Sequence, residues 1–159
     1  MSSKRRETAL AFLAAFETLD ADAHLSLRTQ NCLNIFRPAA QPAPLANPEF
    51  GAHINRLKTV IERFPVWPKE VMEDEKQNRV IIWAEGELVI KKEFRDEGLS
   101  EQQWIYRGEY MFVCSMDESG EKMERVVEFL DSKAAEQGRS LIRRARANLE
   151  RLEKEGSEK

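Results

Sequence analysis

Two phenols lie at a spacing that places them on one face of a strand. The chain has only two tyrosines, Tyr106 and Tyr110, and both fall in the segment 104–116, where apolar and polar residues alternate. Because successive side chains of a strand point to opposite faces, both hydroxyls share a face with Trp104 and Phe112. That face is the more apolar one, so we expect it to be buried. Buried phenols need hydrogen-bond partners, and they can donate hydrogen bonds to a reacting oxygen.

A carboxylate on the following strand is the predicted partner of these phenols. A three-residue hairpin loop over 118–120, with Gly120 in the left-handed conformation, places Glu128 opposite Tyr110 and facing inward. Burial in an apolar cavity raises the pKa of a carboxyl group, and hydrogen bonds from phenols lower it. Glu128 is therefore a candidate general acid or base. A two-residue loop would instead set Phe129 opposite Tyr110 and turn Glu128 outward.

A cation and several side chains of other types complete the candidate site. Arg37 ends the first predicted strand on the face of Leu33 and Ile35, where it could neutralise Glu128 or hold a ligand oxygen. A surface arginine that anchors the next loop is the alternative interpretation. The candidate substrate-binding residues, each with packing or a surface position as its alternative, are Asn34, His53, Trp83, Trp104 and Phe112.

A curved sheet with helices packed against it would position these residues. Helical periodicity and capping residues predict helices at about 6–19, 20–27, 47–64 and 132–153, with Asn47 as the N-cap of the third. Alternation predicts strands at about 30–37, 69–75, 80–92, 104–116 and 124–130, and the prolines predict a stiff loop over 38–46. Helices segregated from an antiparallel sheet indicate an α+β fold. We expect one domain over 1–159, with its core at about 6–131.

Composition and motifs exclude several kinds of chemistry. With 25 Lys+Arg against 28 Asp+Glu, the chain has no global reason to bind nucleic acid or an anionic membrane. Its two cysteines and two histidines form no zinc-binding or other metal-binding pattern, and no glycine-rich phosphate loop is present. No apolar run approaches the ~20 residues of a membrane span, and the N-terminal segment lacks a signal-peptide cleavage site. We therefore expect a cytoplasmic protein without a metal.

Several short segments, together with the order of elements, resemble fungal SnoaL-like proteins of secondary metabolism, a branch of the nuclear transport factor two-like superfamily. The resemblance covers about residues 8–130 and implies a cone-shaped fold with an interior pocket. The segments that carry it are Ala11–Phe16, Arg28–Cys32, Asn47–Phe50 and Val80–Ala84.

Within that group, the set Arg37, Tyr106, Tyr110 and Glu128 is similar to the constellation of the isomerases that make spiro-indoxyl alkaloids. The resemblance implies a cofactor-free semipinacolase acting on an apolar polycyclic indole, supplied by a pathway flavin monooxygenase. It also implies a homodimer. Two alternatives stay open. One is an isomerase or cyclase of meroterpenoid or polyketide pathways, and the other is a non-catalytic ligand-binding dimer.

Overall fold

The computed structural model describes residues 2–38 and 42–158, so residues 39–41 of the predicted proline-rich loop lie outside the described residues. In the described part, three helices and the first strand come first, five strands follow, and a long helix comes last. The helices are α1 (Lys4–Ala14), α2 (Ala21–Ser26), α3 (Asn47–Lys58) and α4 (Ser132–Ser157), with short 3₁₀ helices at Lys92–Phe94 and Glu101–Trp104. The strands are β1 (Arg28–Arg37), β2 (Ile61–Arg63), β3 (Val66–Asp74), β4 (Arg79–Ile90), β5 (Ile105–Met116) and β6 (Met123–Leu130).

The strands form one sheet that curls around the core. Its order is β1-β6-β5-β4-β2, and β3 also pairs with β4. Strands β3 to β6 follow each other as antiparallel neighbours, as the alternation predicted, whereas β1 joins β6 in parallel. The predicted α+β cone fold is confirmed, with the correction that the sheet is mixed. Strand β1 pairs with the free edge of β6 although α3 and strands β2 to β5 lie between them in the chain.

Several predicted boundaries and one predicted cap differ from the structure. Helix α1 ends at Ala14, and the chain turns until Leu19, whose positive φ of 50° reverses its direction. Helix α3 ends at Lys58 because Ile61 already pairs with Ile90 of β4. Asn47 is not the N-cap of α3.

Asn47 instead ties the start of α3 to β1. Its Nδ2 donates to the Thr29 carbonyl oxygen at 2.9 Å, and its Oδ1 accepts from Arg28 Nε at 2.7 Å. Ala46 takes the capping position without a side-chain hydrogen bond. The asparagine is thus used to fix the strand rather than to cap the helix.

Helices α1 to α3 pack on the concave face of the sheet through an aromatic cluster. The rings of Phe12, Phe16 and Phe50 surround the buried His24 at centroid distances of 5.0, 4.4 and 5.5 Å. Burial lowers the pKa of His24 to about 4. The histidine is therefore a neutral core side chain at pH 7.

Helix α4 lies across the open end of the curled sheet. Asp131 caps it by accepting from the backbone N–H of Lys133 at 3.0 Å and of Ala134 at 3.2 Å. Farther along, Asn148 Nδ2 donates to the Phe94 carbonyl oxygen at 2.9 Å. Among the described residues, no helix combines the length and the apolar character that crossing a membrane needs.

Candidate active site

A cavity of about 320 Å³ lies between the concave face of the sheet, α3 and α4. Its wall is mostly aliphatic and aromatic, which suits an apolar ligand with few polar functions. The large apolar residues that line it are Phe36, Leu57, Phe64, Leu88, Leu130 and Ile142. The polar residues that line it are His53, Tyr106, Tyr110, Glu128 and Arg139.

Both tyrosines line the cavity, as the alternation of β5 predicted. Tyr106 and Tyr110 are buried, and burial raises the pKa of both phenols. The nearby Tyr110 side chain partly offsets the rise in the pKa of Tyr106. Both phenols stay protonated at neutral pH and can donate hydrogen bonds to a ligand oxygen.

Glycines make the space in which the tyrosine rings lie. A Cβ atom on Gly108 would overlap the Tyr106 ring and hydroxyl, and a Cβ on Gly86 would lie 3.0 Å from Cε2 of Tyr110. Gly86 and Gly108 are partners in the β4–β5 ladder. A Cβ on Gly138 of α4 would lie 3.0 Å from Cδ1 of Tyr106. The glycines therefore let Tyr106 lie flat between the sheet and α4.

Glu128 points into the cavity, although the predicted hairpin register is wrong. Glu128 faces Phe112, and Tyr110 faces Leu130, two residues from the predicted pairing. The loop is one residue longer than predicted, since the Asp117 backbone N–H bonds the carbonyl oxygen of Lys122 at 2.9 Å. A bulge between the Met116–Met123 and Ser115–Arg125 pairs adds the second residue. A shift of two residues keeps every side chain on its face.

Burial of Glu128 in this apolar setting changes its acidity. The side chain is buried, and loss of hydration raises the pKa of its carboxyl group to about 7. Asn34, also fully buried, lowers that pKa in part without reaching hydrogen-bond geometry. A group with a pKa near 7 can accept and return a proton at neutral pH.

His53 and Arg139 supply the other polar contacts of the cavity. Burial and the nearby Arg56 lower the pKa of His53 to about 4, so its imidazole is neutral at pH 7. Arg139 of α4 lies at the cavity and pairs with Glu136 through Nη1 and Oε2 at 3.2 Å. The cation at this site thus comes from the last helix.

Arg37 does not line the cavity in the described part of the chain. The inner face of β1 carries Cys32, Asn34 and Phe36, so Arg37 points outward beside Phe129 of β6. Its Nη1 donates to the Phe36 carbonyl oxygen at 3.1 Å. The expectation that Arg37 neutralises Glu128 or holds a ligand oxygen is therefore corrected. Leu33 and Ile35 make the outer face of β1 apolar as well, so the apolar residues beside Arg37 did not mark the inner face.

Three aromatic residues predicted to bind substrate do not line the cavity. Trp104 is fully buried behind the cavity, with the Arg144 guanidinium 5.1 Å from its ring centroid. Phe112 lies in the core, stacked on Tyr110 at 5.9 Å between centroids. Trp83 lies on the outer face, where its Nε1 donates to Glu109 Oε2 at 2.9 Å. Of the predicted substrate-binding residues, His53 lines the cavity and Asn34 lies beside Glu128.

Sequence reasoning missed the contribution of α4. The residues of α4 that line the cavity, none of them among the predicted site residues, are Ala135, Gly138, Arg139 and Ile142. One signal was present in the sequence. A glycine inside a strand or helix often marks a close approach of another group, and Gly86, Gly108 and Gly138 all do so here.

The arrangement is suited to moving a proton on an apolar substrate. One carboxyl group with a pKa near 7 lies among two protonated phenols, a neutral imidazole and a guanidinium. Such a set can take a proton from a hydroxyl group and stabilise the charge that develops on an oxygen.

Comparisons with known proteins show what the chain is similar to. No family model matches the chain. Austinoid biosynthesis cluster protein H of Aspergillus calidoustus is 30% identical over 130 residues, which are 79% of this chain and 81% of that protein. The structure of AusH from Aspergillus nidulans superposes with a TM-score of 0.67 at 25% identity, over 81% of this chain and 84% of that one.

The BvnE pinacolase from Penicillium brevicompactum has a TM-score of 0.74 at 21% identity, over 87% of this chain and 93% of that one. At that identity the likeness shows the shared fold. The chain belongs to the family of austinoid biosynthesis cluster protein H, and it has the cone-shaped fold that the resemblance to SnoaL-like proteins implied.

Proposed function

We propose that this protein is a cofactor-free isomerase that guides a semipinacol 1,2-shift of an oxidised indole to a spiro-indoxyl. The observation that carries the proposal is Glu128, whose pKa of about 7 lets it exchange a proton inside an otherwise apolar cavity. The fold shared with the BvnE pinacolase supports the reaction type.

The reaction moves one proton and one carbon–carbon bond. Glu128 accepts the proton of the substrate hydroxyl group as that oxygen becomes a carbonyl. The migrating carbon leaves the carbinol carbon and bonds to the adjacent imine carbon, and the electron pair of the C=N bond moves to nitrogen. The nitrogen takes up the proton, so the product is an isomer of the substrate. Acid–base assistance of this kind contributes about 10²–10⁴-fold to rate.

The other polar side chains of the cavity orient the reacting oxygen. Tyr106 and Tyr110 donate hydrogen bonds to it, since their raised pKa values keep both phenols protonated. Arg139 takes the role that the sequence assigned to Arg37, because it is the guanidinium that lines the cavity. The aliphatic wall holds the polycyclic body of the substrate and selects the migrating face.

The test is chiral product analysis with a 3-hydroxyindolenine of the kind that a flavin monooxygenase produces. Glu128→Gln should lower turnover at least about 100-fold. Arg139→Gln should weaken turnover, whereas Arg143→Gln should not, because both arginines pair with Glu136 but only Arg139 lines the cavity. Wild-type turnover and product ratio in Glu128→Gln would refute the proposed role.

An isomerase or cyclase of a meroterpenoid or polyketide pathway is the second candidate. It is favoured by the 30% identity to a protein named for austinoid biosynthesis. Conversion of a polycyclic terpenoid or polyketide intermediate, with no change in the hydroxyindolenine, would select it. Recovery of every bound apolar ligand unchanged after long incubation would instead indicate a non-catalytic binding module.

We also propose a homodimer formed through the outer face of the sheet. Trp67 and Phe129 are 40% and 45% exposed there, and Glu87 pairs with Arg63 and Arg107 at 3.0 and 2.8 Å. Such a face combines apolar area with ordered charges. Sedimentation should show a dimer at micromolar concentration that Phe129→Glu dissociates. A monomeric wild type would contradict this proposal.

We also propose that the protein is cytoplasmic. The location of a fluorescent fusion in the cell would test this.

A further inference from the structure

We propose that Asn34 is the positioning residue of Glu128, whose side-chain amide adapts to either protonation state of the carboxyl group. This inference rests on the proton-transfer role proposed for Glu128. It gives a function to a buried amide that the reaction scheme above does not use.

The parallel pairing of β1 with β6 brings the two side chains together. Asn34 lies opposite Val126 and Phe36 lies opposite Glu128, so Asn34 and Glu128 are neighbours on the inner face. The backbone of Asn34 is fixed on its other side, where its N–H and carbonyl oxygen both bond to Leu45 at 2.9 Å. The side chain is fully buried. Its amide therefore has a defined place beside the carboxyl group.

The described part of the chain leaves the side-chain amide of Asn34 without a hydrogen-bond partner. Neither its Nδ2 nor its Oδ1 has a hydrogen-bond partner among residues 2–38 and 42–158. A buried amide without partners is costly, so such a group in a folded protein calls for an explanation. Glu128 is the titrating group that this amide influences, because Asn34 lowers the pKa of the carboxyl against the larger effect of burial.

An amide is suited to a partner that changes its protonation state. Its NH₂ group donates to a carboxylate, and its carbonyl oxygen accepts from a carboxylic acid. A half turn about the Cβ–Cγ bond exchanges one arrangement for the other. Asn34 can therefore hold Glu128 in place before and after it takes the substrate proton, so that the same group returns that proton.

The test measures the titration of Glu128 directly, by carbon-13 NMR of protein labelled at the glutamate carboxyl carbons, with Glu128→Gln to assign the signal. Asn34→Leu, which keeps the size and removes the amide, should raise the pKa of Glu128 by about one unit, a tenfold weaker acid. Asn34→Asp keeps the shape of the side chain and places a second carboxyl group beside Glu128. The two carboxyl groups then titrate as a pair, and the higher of their two pKa values should lie above the wild-type pKa of Glu128. Cys32→Ala, on the same face of β1, should leave the titration unchanged.

The pH–rate profile separates this inference from the proposed function. The rise of kcat/KM with pH should move with the titration of Glu128 in both Asn34 variants. If the NMR titration moves and the rate profile does not, Asn34 positions Glu128 but Glu128 is not the catalytic base. A second outcome would overturn the inference about Asn34. In that outcome Glu128→Gln abolishes turnover, but the NMR titration of the Glu128 carboxyl group in Asn34→Asp stays at its wild-type pKa. Asn34→Asp decides the question where Asn34→Leu fails to fold.

Discussion

Replacement of Glu128 by glutamine should make the protein more stable at neutral and alkaline pH. The folded pKa of about 7 exceeds the ordinary value of 4.5, so the folded state binds a proton that the unfolded state has lost between these two values. Below pH 4.5 the Glu128 carboxyl group is protonated in both the folded and the unfolded state, so it does not lower the free energy of unfolding. As the pH rises to 7, the free energy of unfolding of the wild type falls, and above pH 7 it stays lowered.

The size of the effect follows from the shift. Each pKa unit corresponds to 1.36 kcal/mol, so the shift at Glu128 destabilises the folded wild type by about 3 kcal/mol at pH 8. Glu128→Gln has no charge to bury and should avoid this penalty. Urea unfolding followed by tryptophan fluorescence at pH 5 and pH 8 measures it as the difference between the two proteins.

Glu124→Gln is the matched control, since Glu124 lies on the same strand with its side chain exposed. It should change the free energy of unfolding by less than about 0.5 kcal/mol at either pH. Parallel pH dependence of the wild type and Glu128→Gln would refute the reasoning, because it would mean that Glu128 titrates normally in the folded state.

Further substitutions test other parts of the structure. Burial lowers the pKa of His24 from 6.5 to about 4, so the free energy of unfolding of the wild type falls as the pH drops through that range. In His24→Leu, urea unfolding should therefore show a smaller difference in the free energy of unfolding between pH 7 and pH 4.5. Gly138→Ala should lower product formation, because its new methyl group displaces Tyr106. The control Gly156→Ala has no atom within 4 Å of its new methyl group, so it should keep activity and raise the melting temperature slightly. Tyr110→Phe should lower kcat about 10–100-fold with little change in KM, as measured by steady-state kinetics, if its hydroxyl binds the developing oxyanion. Equal kcat for Tyr110→Phe and wild type would remove Tyr110 from the mechanism.

The inward orientation of Tyr106, Tyr110 and Glu128 could be predicted because it depends only on the two-residue period of strands. A register shift of two residues changed the partner of Glu128 and left its face unchanged. The register itself could not be predicted. Asp117 organises the hairpin loop through its side chain, which accepts from the Ser119 hydroxyl at 2.7 Å and from the Lys122 backbone N–H at 3.3 Å.

The face of Arg37 could not be predicted from hydrophobicity. Leu33 and Ile35 share the outer face of β1 with Arg37, while the inner face includes the polar Asn34. When both faces of a strand are partly apolar, the pattern does not identify the buried one. The position of Arg139 depends on how α4 crosses the cavity, which is a tertiary contact that no local pattern of the helix contains.

The pairing of β1 with β6 also sets the order in which the molecule is completed. Strand β1 ends at Arg37 and β6 begins at Met123, so most of the chain lies between the two partners. Contacts between distant segments form slowly, because a long loop must close before they contribute. A chain emerging from the ribosome can form the β3–β4–β5 ladders early, but the cavity closes only when the last strand and α4 arrive. The nascent chain would therefore expose its apolar concave surface until β6 and α4 have been synthesised.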